Sequence, residues 1–89
     1  MPNFQADVRD RIARLVRDIL AQNSIAAAVS PEAKLVDIGL TSMDMVNLML
    51  SIEAEFDFTI PQELITPENF LSVATLERLV AGQLQAKAA

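Results

Sequence analysis

Ser42 is the hydroxyl best placed for chemistry in this chain. It lies in the segment Asp37-Ile38-Gly39-Leu40-Thr41-Ser42-Met43-Asp44-Met45-Val46. Gly39 permits a backbone angle that other residues avoid, just ahead of a helical stretch. Thr41 and Asp44 are spaced as a capping box, with Asp in place of the usual Glu, so a helix is expected to start at Ser42. The first turn of a helix collects free backbone N–H groups and the positive end of the helix dipole. That environment holds phosphate, so a hydroxyl there suits a phosphodiester. Ser42 is not equipped to attack on its own. Serine needs an adjacent base, the chain has no His, and Asp44 has no matching base partner. The hydroxyl is therefore expected to be acted on by another enzyme, and no catalytic residue is assigned. With no Cys there is no disulfide framework, thiolate metal site or thiol nucleophile, and no metal site is expected.

The elements that must position this serine follow from the apolar periodicity. Phe4, Val8, Ile12, Leu15, Val16, Ile19 and Leu20 recur at helical spacing and predict a helix over about 3–22, ended by Asn23 and Ser24. Arg9, Arg11, Arg14 and Arg17 alternate with Asp7, Asp10 and Asp18, which reads as a solvated helix face and not as a nucleic-acid patch. A long connection then runs to Gly39, with a cap-like Ser30-Pro31-Glu32 that suits one short turn. Leu35, Val36 and Ile38 are expected to tuck this connection onto the core. The second helix is expected over about 42–56, with Asp44, Asn47, Ser51 and Glu55 as a narrow polar stripe on an otherwise apolar segment. A helix this apolar is central in the fold or shared with a partner. Thr59-Ile60-Pro61 stops helical geometry. Thr66-Pro67-Glu68 marks a capped start, and a short helix is expected over about 67–71. Val73, Leu76, Leu79, Val80 and Leu84 predict a last helix over about 73–83, followed by a fraying tail from Gln85 to Ala89.

The bulk composition agrees with an all-α, four-helix bundle in a single domain, 1–89. The chain has 89 residues, 52% hydrophobic and 21% charged, which favours folding over disorder. Four Phe are the only aromatics, so the core is built from Leu, Ile, Val, Met and Ala. The formal net charge is −5 and the pI about 4.4. That balance disfavours nucleic acid and anionic membranes as partners and suits docking against basic patches on other proteins. The N-terminal stretch is polar and does not read as a signal peptide, and no apolar run is long enough to span a bilayer. A cytoplasmic monomer is expected.

The segment around Ser42 resembles the attachment motif of acyl and peptidyl (aminoacyl) carrier proteins, in which Asp-Ser-Leu follows a Gly-containing turn. The resemblance runs from the first helix to about Leu84. Met43, Val46 and Leu50 fall where that family has apolar partner-docking positions. Glu53-Ala54-Glu55-Phe56-Asp57-Phe58 resembles the acidic-aromatic end of its second helix, and Ile60-Pro61 its break. Ser72-Val73 with Leu76 and Val80 resembles the start of its last helix. The resemblance implies the acyl-carrier-type bundle, with a long loop between helices 1 and 2 and a short third helix. It also implies a covalent 4′-phosphopantetheine on Ser42, transferred from coenzyme A by a magnesium-dependent phosphopantetheinyl transferase. Asp37, Gly39, Thr41 and Asp44 are the flanking motif by this resemblance, and Met43, Val46, Leu50 and Glu53 the docking residues. The arm's thiol carries an acyl or aminoacyl thioester, loaded by a ligase or acyltransferase and passed to downstream enzymes.

Departures at four positions narrow the expectation. Thr41 stands where the motif has Asp, and Met43 where it has Leu. Asn47 and Ala54 stand at positions that are acidic in the carrier of fatty acid synthesis, which lowers electrostatic steering toward very basic partners. The stretch Ile65-Thr66-Pro67-Glu68-Asn69-Phe70 looks more like specialised or peptidyl-type carriers. A dedicated biosynthetic pathway is therefore expected. The competing reading is a helical protein-interaction module without a prosthetic group, in which Ser42 only caps a helix and the apolar second helix is the docking ridge.

Overall fold

The computed structural model describes the main chain of residues 4–88 and the side chains of residues 7–86. Three α-helices and one 3-10 turn make up its regular structure: α1 (Phe4–Gln22), α2 (Ser42–Phe56), the 3-10 turn (Gln62–Leu64) and α3 (Val73–Ala88). The described residues contain no strand. α1 is the common partner, packed against both α2 and α3.

The apolar spacing of each helix turns one face inward. Val8, Ile12, Val16, Ile19 and Leu20 of α1 are buried with Leu48, Ile52 and Phe56 of α2 and Val73, Leu76, Leu79 and Val80 of α3. The connections complete this core with Leu35, Leu40, Ile60 and Phe70. The long connection is also tied by its backbone to the start of α3. The Leu35 N–H donates to the Leu71 carbonyl at 2.9 Å, and the Ala74 N–H to the Pro31 carbonyl at 2.8 Å. Pro31 and Glu32 form a turn, as the cap-like triplet predicts. α2 stops at Asp57, which takes a left-handed conformation (φ 54°) and donates its N–H to the Glu53 carbonyl.

Four expectations change. Residues 67–71 are a turn and not a short helix. Thr66 does cap it, accepting from the Asn69 N–H and, through its carbonyl, from Phe70. Its later carbonyls are engaged elsewhere: that of Asn69 by the Thr75 hydroxyl and that of Leu71 by Leu35. Helical bonds cannot propagate from groups already committed to tertiary partners. α3 continues past Gln83 to Ala88, so most of the expected tail is helical; Ala89 lies outside the described residues, as does Asn3 at the other end. Val36 is exposed, whereas Leu35 is buried and Ile38 packs against the core.

The fourth change concerns charge. The α1 arginines are not simply solvated. Arg9 pairs with Glu77 of α3, which is buried. Arg11 and Arg14 share Glu55 of α2, at 2.7 and 3.3 Å. Arg11 also donates to the Glu55 carbonyl at 2.9 Å and lies 4.3 Å over the Phe56 ring. These contacts tie α1 to both α2 and α3, with exposure of the arginines to water weakening each pair.

The two sides of α2 are expected to respond oppositely to truncation. Leu48→Ala, at a fully buried position, is expected to lose about 2–5 kcal/mol. Val46→Ala, on the exposed side, is expected to stay within about 0.5 kcal/mol. Urea melts of both variants measure the difference; similar losses would contradict this placement of α2.

Candidate functional site

The serine turn is held by the end of one helix and the start of another. α1 closes with the Ile25 N–H donating to the Leu20 carbonyl at 2.8 Å across Ser24, which has φ 58°. This is a Schellman-type closure, with Ser where Gly is usual. It sends two side chains to the segment entering α2: Ile25 lies against Gly39, ahead of the serine, and Asn23 reaches Asp44, beyond it.

Gly39 is required by its backbone angle. Its φ is +115°, and a Cβ there would sit 2.9 Å from Ile25 Cδ1. The backbone angle is what disfavours a side chain here, and the end of Ile25 would also have to move aside.

Thr41 and Asp44 form the reciprocal cap that the spacing predicts. The Asp44 N–H donates to Thr41 Oγ1 at 3.2 Å, and the Thr41 N–H to Asp44 Oδ2 at 2.9 Å. The same Oδ2 accepts from Asn23 Nδ2 at 2.9 Å. Asp44 is thus buried on the inner face of α2, four residues ahead of Leu48, and does not belong to a solvated polar stripe. The Thr41 N–H first, and then the Asn23 amide, hold its carboxyl below the usual carboxylate range.

Ser42, the first residue of α2, takes no side-chain part in this cap and is exposed. The first helical bond of α2 runs from Met45 N–H to the Thr41 carbonyl, so the amides of Ser42 and Met43 lie ahead of the ladder. Ser42 also lines a groove of about 420 Å³, walled by Val36, Met45, Val46, Met49, Ile65 and Leu71.

The remaining candidate residues divide. Asp37 is exposed on the turn before Gly39. Met43, Val46 and Leu50 are exposed together at helical spacing, Met43 most of all at 73%. Glu53 is half-buried and its carboxylate accepts the Ile60 N–H at 2.8 Å, so it fastens the chain after α2. Val36, Ile65 and Leu71 of the groove, and Asn23 and Ile25 behind the turn, were not assigned to the site from sequence. The helix-ending Asn23-Ser24 pair was the available signal for the last two.

Two substitutions check this geometry. Gly39→Ala is expected to destabilise by about 1–3 kcal/mol, read in urea melts, while Gly82→Ala, with open space around it, is not. Asp44 also predicts a pH dependence. A carboxyl lowered by folding contributes stability above its unfolded pKa of about 3.9, and that contribution fades as pH falls through the folded value. The stability gap between wild type and Asp44→Asn is therefore expected to be constant above about pH 5 and to shrink below about pH 4. A gap unchanged on acidification contradicts the charged role.

With this geometry in place, similarity to known proteins becomes specific. Residues 10–82 match the family described as the phosphopantetheine attachment site. The chain is 71% identical over 85 residues to aminoacyl carrier protein 1 of Bradyrhizobium diazoefficiens, covering 96% of this chain and 94% of that protein. Aminoacyl carrier protein 2 of the same organism is 55% identical over 84 residues, 94% of each chain. A chain in the crystal structure of Bradyrhizobium japonicum glycine:[carrier protein] ligase, complexed with its cognate carrier protein and an analogue of glycyl adenylate, is also similar. It is 72% identical with a TM-score of 0.75, covering 85% of this chain and 99% of that one. An exposed serine opening a capped apolar helix, the match over residues 10–82 and the identity to curated carriers agree, and the chain belongs to the phosphopantetheine-binding family of acyl and aminoacyl carrier proteins.

Proposed function

We propose that this chain is an aminoacyl carrier protein that bears 4′-phosphopantetheine on Ser42 and receives its cargo from an adenylate-forming ligase. The observation that carries the reading is the exposed Ser42 at the head of α2, beside an apolar groove. The residues present suit the group. Ser42 supplies the hydroxyl, the amides of Ser42 and Met43 and the helix's positive end suit a phosphodiester, and the groove offers an apolar bed for an organic arm. When bound, the group supplies a flexible arm whose thiol carries the cargo as a thioester.

The protein's own residues do the rest. Gly39 and the Thr41–Asp44 cap present the serine, and Asp37 flanks it on the exposed turn. Met43, Val46 and Leu50 offer a dry contact face for partners. Glu53 supports that face indirectly through Ile60. Catalysis belongs to the partners: a phosphopantetheinyl transferase, the loading ligase and a downstream acceptor enzyme. The shared core suits a single domain over 1–89, working as a cytoplasmic monomer. Among the described residues no helix is long and apolar enough to cross a membrane.

The structural relatives narrow the cargo. One related crystal structure is of the glycine:[carrier protein] ligase complexed with glycylated carrier protein, and the matched chain there is 74% identical with a TM-score of 0.72. Glycine is accordingly the first amino acid to try.

Incubation with coenzyme A, magnesium and a broad-specificity phosphopantetheinyl transferase is expected to add the mass of one phosphopantetheine to wild type and nothing to Ser42→Ala. Adding glycine, ATP and that ligase to the product is expected to add one glycyl group, released by hydroxylamine. No gain on wild type, or an equal gain on Ser42→Ala, overturns the carrier reading. A gain of the arm without glycine overturns only the choice of cargo.

A further inference from the structure

Asn23 joins the close of α1 to the serine turn. Asn23 stands at the close of α1, its backbone N–H held by the carbonyls of Ile19 and Leu20 at 3.1 Å each. The left-handed Ser24 and the Ile25–Leu20 bond fix the chain on its other side. From this braced position Asn23 Nδ2 donates to Asp44 Oδ2. That oxygen also accepts the Thr41 N–H, the hydrogen bond that closes the cap immediately before Ser42. One carboxylate oxygen therefore joins α1 to the two residues that bracket the serine, Thr41 just before it and Asp44 two after it. Ile25 braces the same segment at Gly39, so residues 39–44 are held from α1 at both ends.

We propose that Asn23 is a positioning residue for group transfer onto Ser42, holding the serine turn in the one conformation a transferase can use. This rests on the carrier reading above. The role is mechanical: Asn23 touches neither the hydroxyl nor the groove. Nor does it belong to the exposed Met43, Val46 and Leu50 face. A transferase that docks on that face should bind a variant at residue 23 as well as wild type. What changes is the fraction of docked complexes in which the hydroxyl is correctly aimed. Misplacement of a reacting group by about 1 Å is enough to slow a reaction substantially.

The test uses a chemical swap. Asn23→Asp sets a carboxylate against the Asp44 carboxylate, replacing a hydrogen bond by repulsion. Asn23→Asp combined with Asp44→Asn restores complementarity. In wild type both bonds meet at one oxygen; in the double variant the amide at 44 divides them, its oxygen accepting the Thr41 N–H and its nitrogen donating to the carboxylate at 23 after a small rotation of that side chain. Three readouts are taken on the full chain: kcat and KM for transfer of phosphopantetheine, thermal melting, and amide hydrogen exchange at residues 41–45. Asn23→Asp is expected to remain folded at the assay temperature, with kcat down roughly tenfold, KM unchanged and faster exchange at those amides. The double variant is expected to recover both kcat and protection.

Unchanged kcat in Asn23→Asp, or a loss appearing in KM instead, overturns the inference. So does a kcat loss that merely tracks the unfolded fraction, or one that the swap does not rescue while restoring protection. Failure of wild type itself to accept the group is a separate result, which overturns the carrier reading and this inference with it.

Discussion

The hydrogen bonds gathered at Asp44 Oδ2 are the constraint on which the rest of the site depends. The first amides of a helix have no partner within it and are met by a side-chain cap, by water or by a ligand. Here Thr41 and Asp44 satisfy each other's N–H groups, which leaves the side chain of Ser42 outside the cap. The amides ahead of the helical ladder, those of Ser42 and Met43, belong to the residues exposed at the helix's front end. An alternative cap using Ser42 itself would tie up the hydroxyl. Placing the cap one residue earlier, on Thr41, leaves the Ser42 hydroxyl exposed on a capped helix end. Thr41 also performs the capping duty at a position where the wider motif has Asp, so the departure from that motif carries no structural cost.

α2 has a double character that follows from the same spacing. Its inner face, Asp44, Leu48, Ile52 and Phe56, is buried. Its outer residues Met43, Val46 and Leu50 are large, apolar and exposed. The carboxylates of this helix do not decorate that outer face. Asp44 is in the cap, Glu53 accepts the Ile60 N–H, and Glu55 is gripped by Arg11 and Arg14. The acidity of the segment is thus largely directed at holding the protein together. What α2 turns outward at these positions is apolar area and not charge.

Much of this was legible in the sequence because the signals were local. The spacing of Val8, Ile12 and Val16 marked α1, and the Thr41–Asp44 pair marked the first residue of α2 correctly. Ser42 could be singled out because its chemistry required a helix start and the cap supplied one. What stayed hidden depended on partners distant in the chain. Arginines at 9, 11 and 14 alternate with acids as a solvated face would, and only the packing of α1 reveals Glu77 and Glu55 opposite them. The turn at 67–71 has a helix-like start, but its carbonyls were claimed by Thr75 and Leu35. Val36 and Leu35 are adjacent and equally apolar, and which of them faces inward is decided by the backbone bond of Leu35 to Leu71. The groove lined by Val36, Ile65 and Leu71 shared that invisibility, since its walls come from three separate stretches.

The contact between Ile25 and Gly39 has a consequence for anyone wishing to transplant this serine turn into another carrier. The natural unit to move looks like one continuous loop, residues 37–46. Its shape, however, is matched to a methyl group contributed from position 25, which a side chain at 39 would have to displace. The transferable module is therefore discontinuous: the closing turn of α1 must travel with the loop. A chimera joined between them would pair one scaffold's bulge with another's hollow, even where every residue of the loop had been copied faithfully.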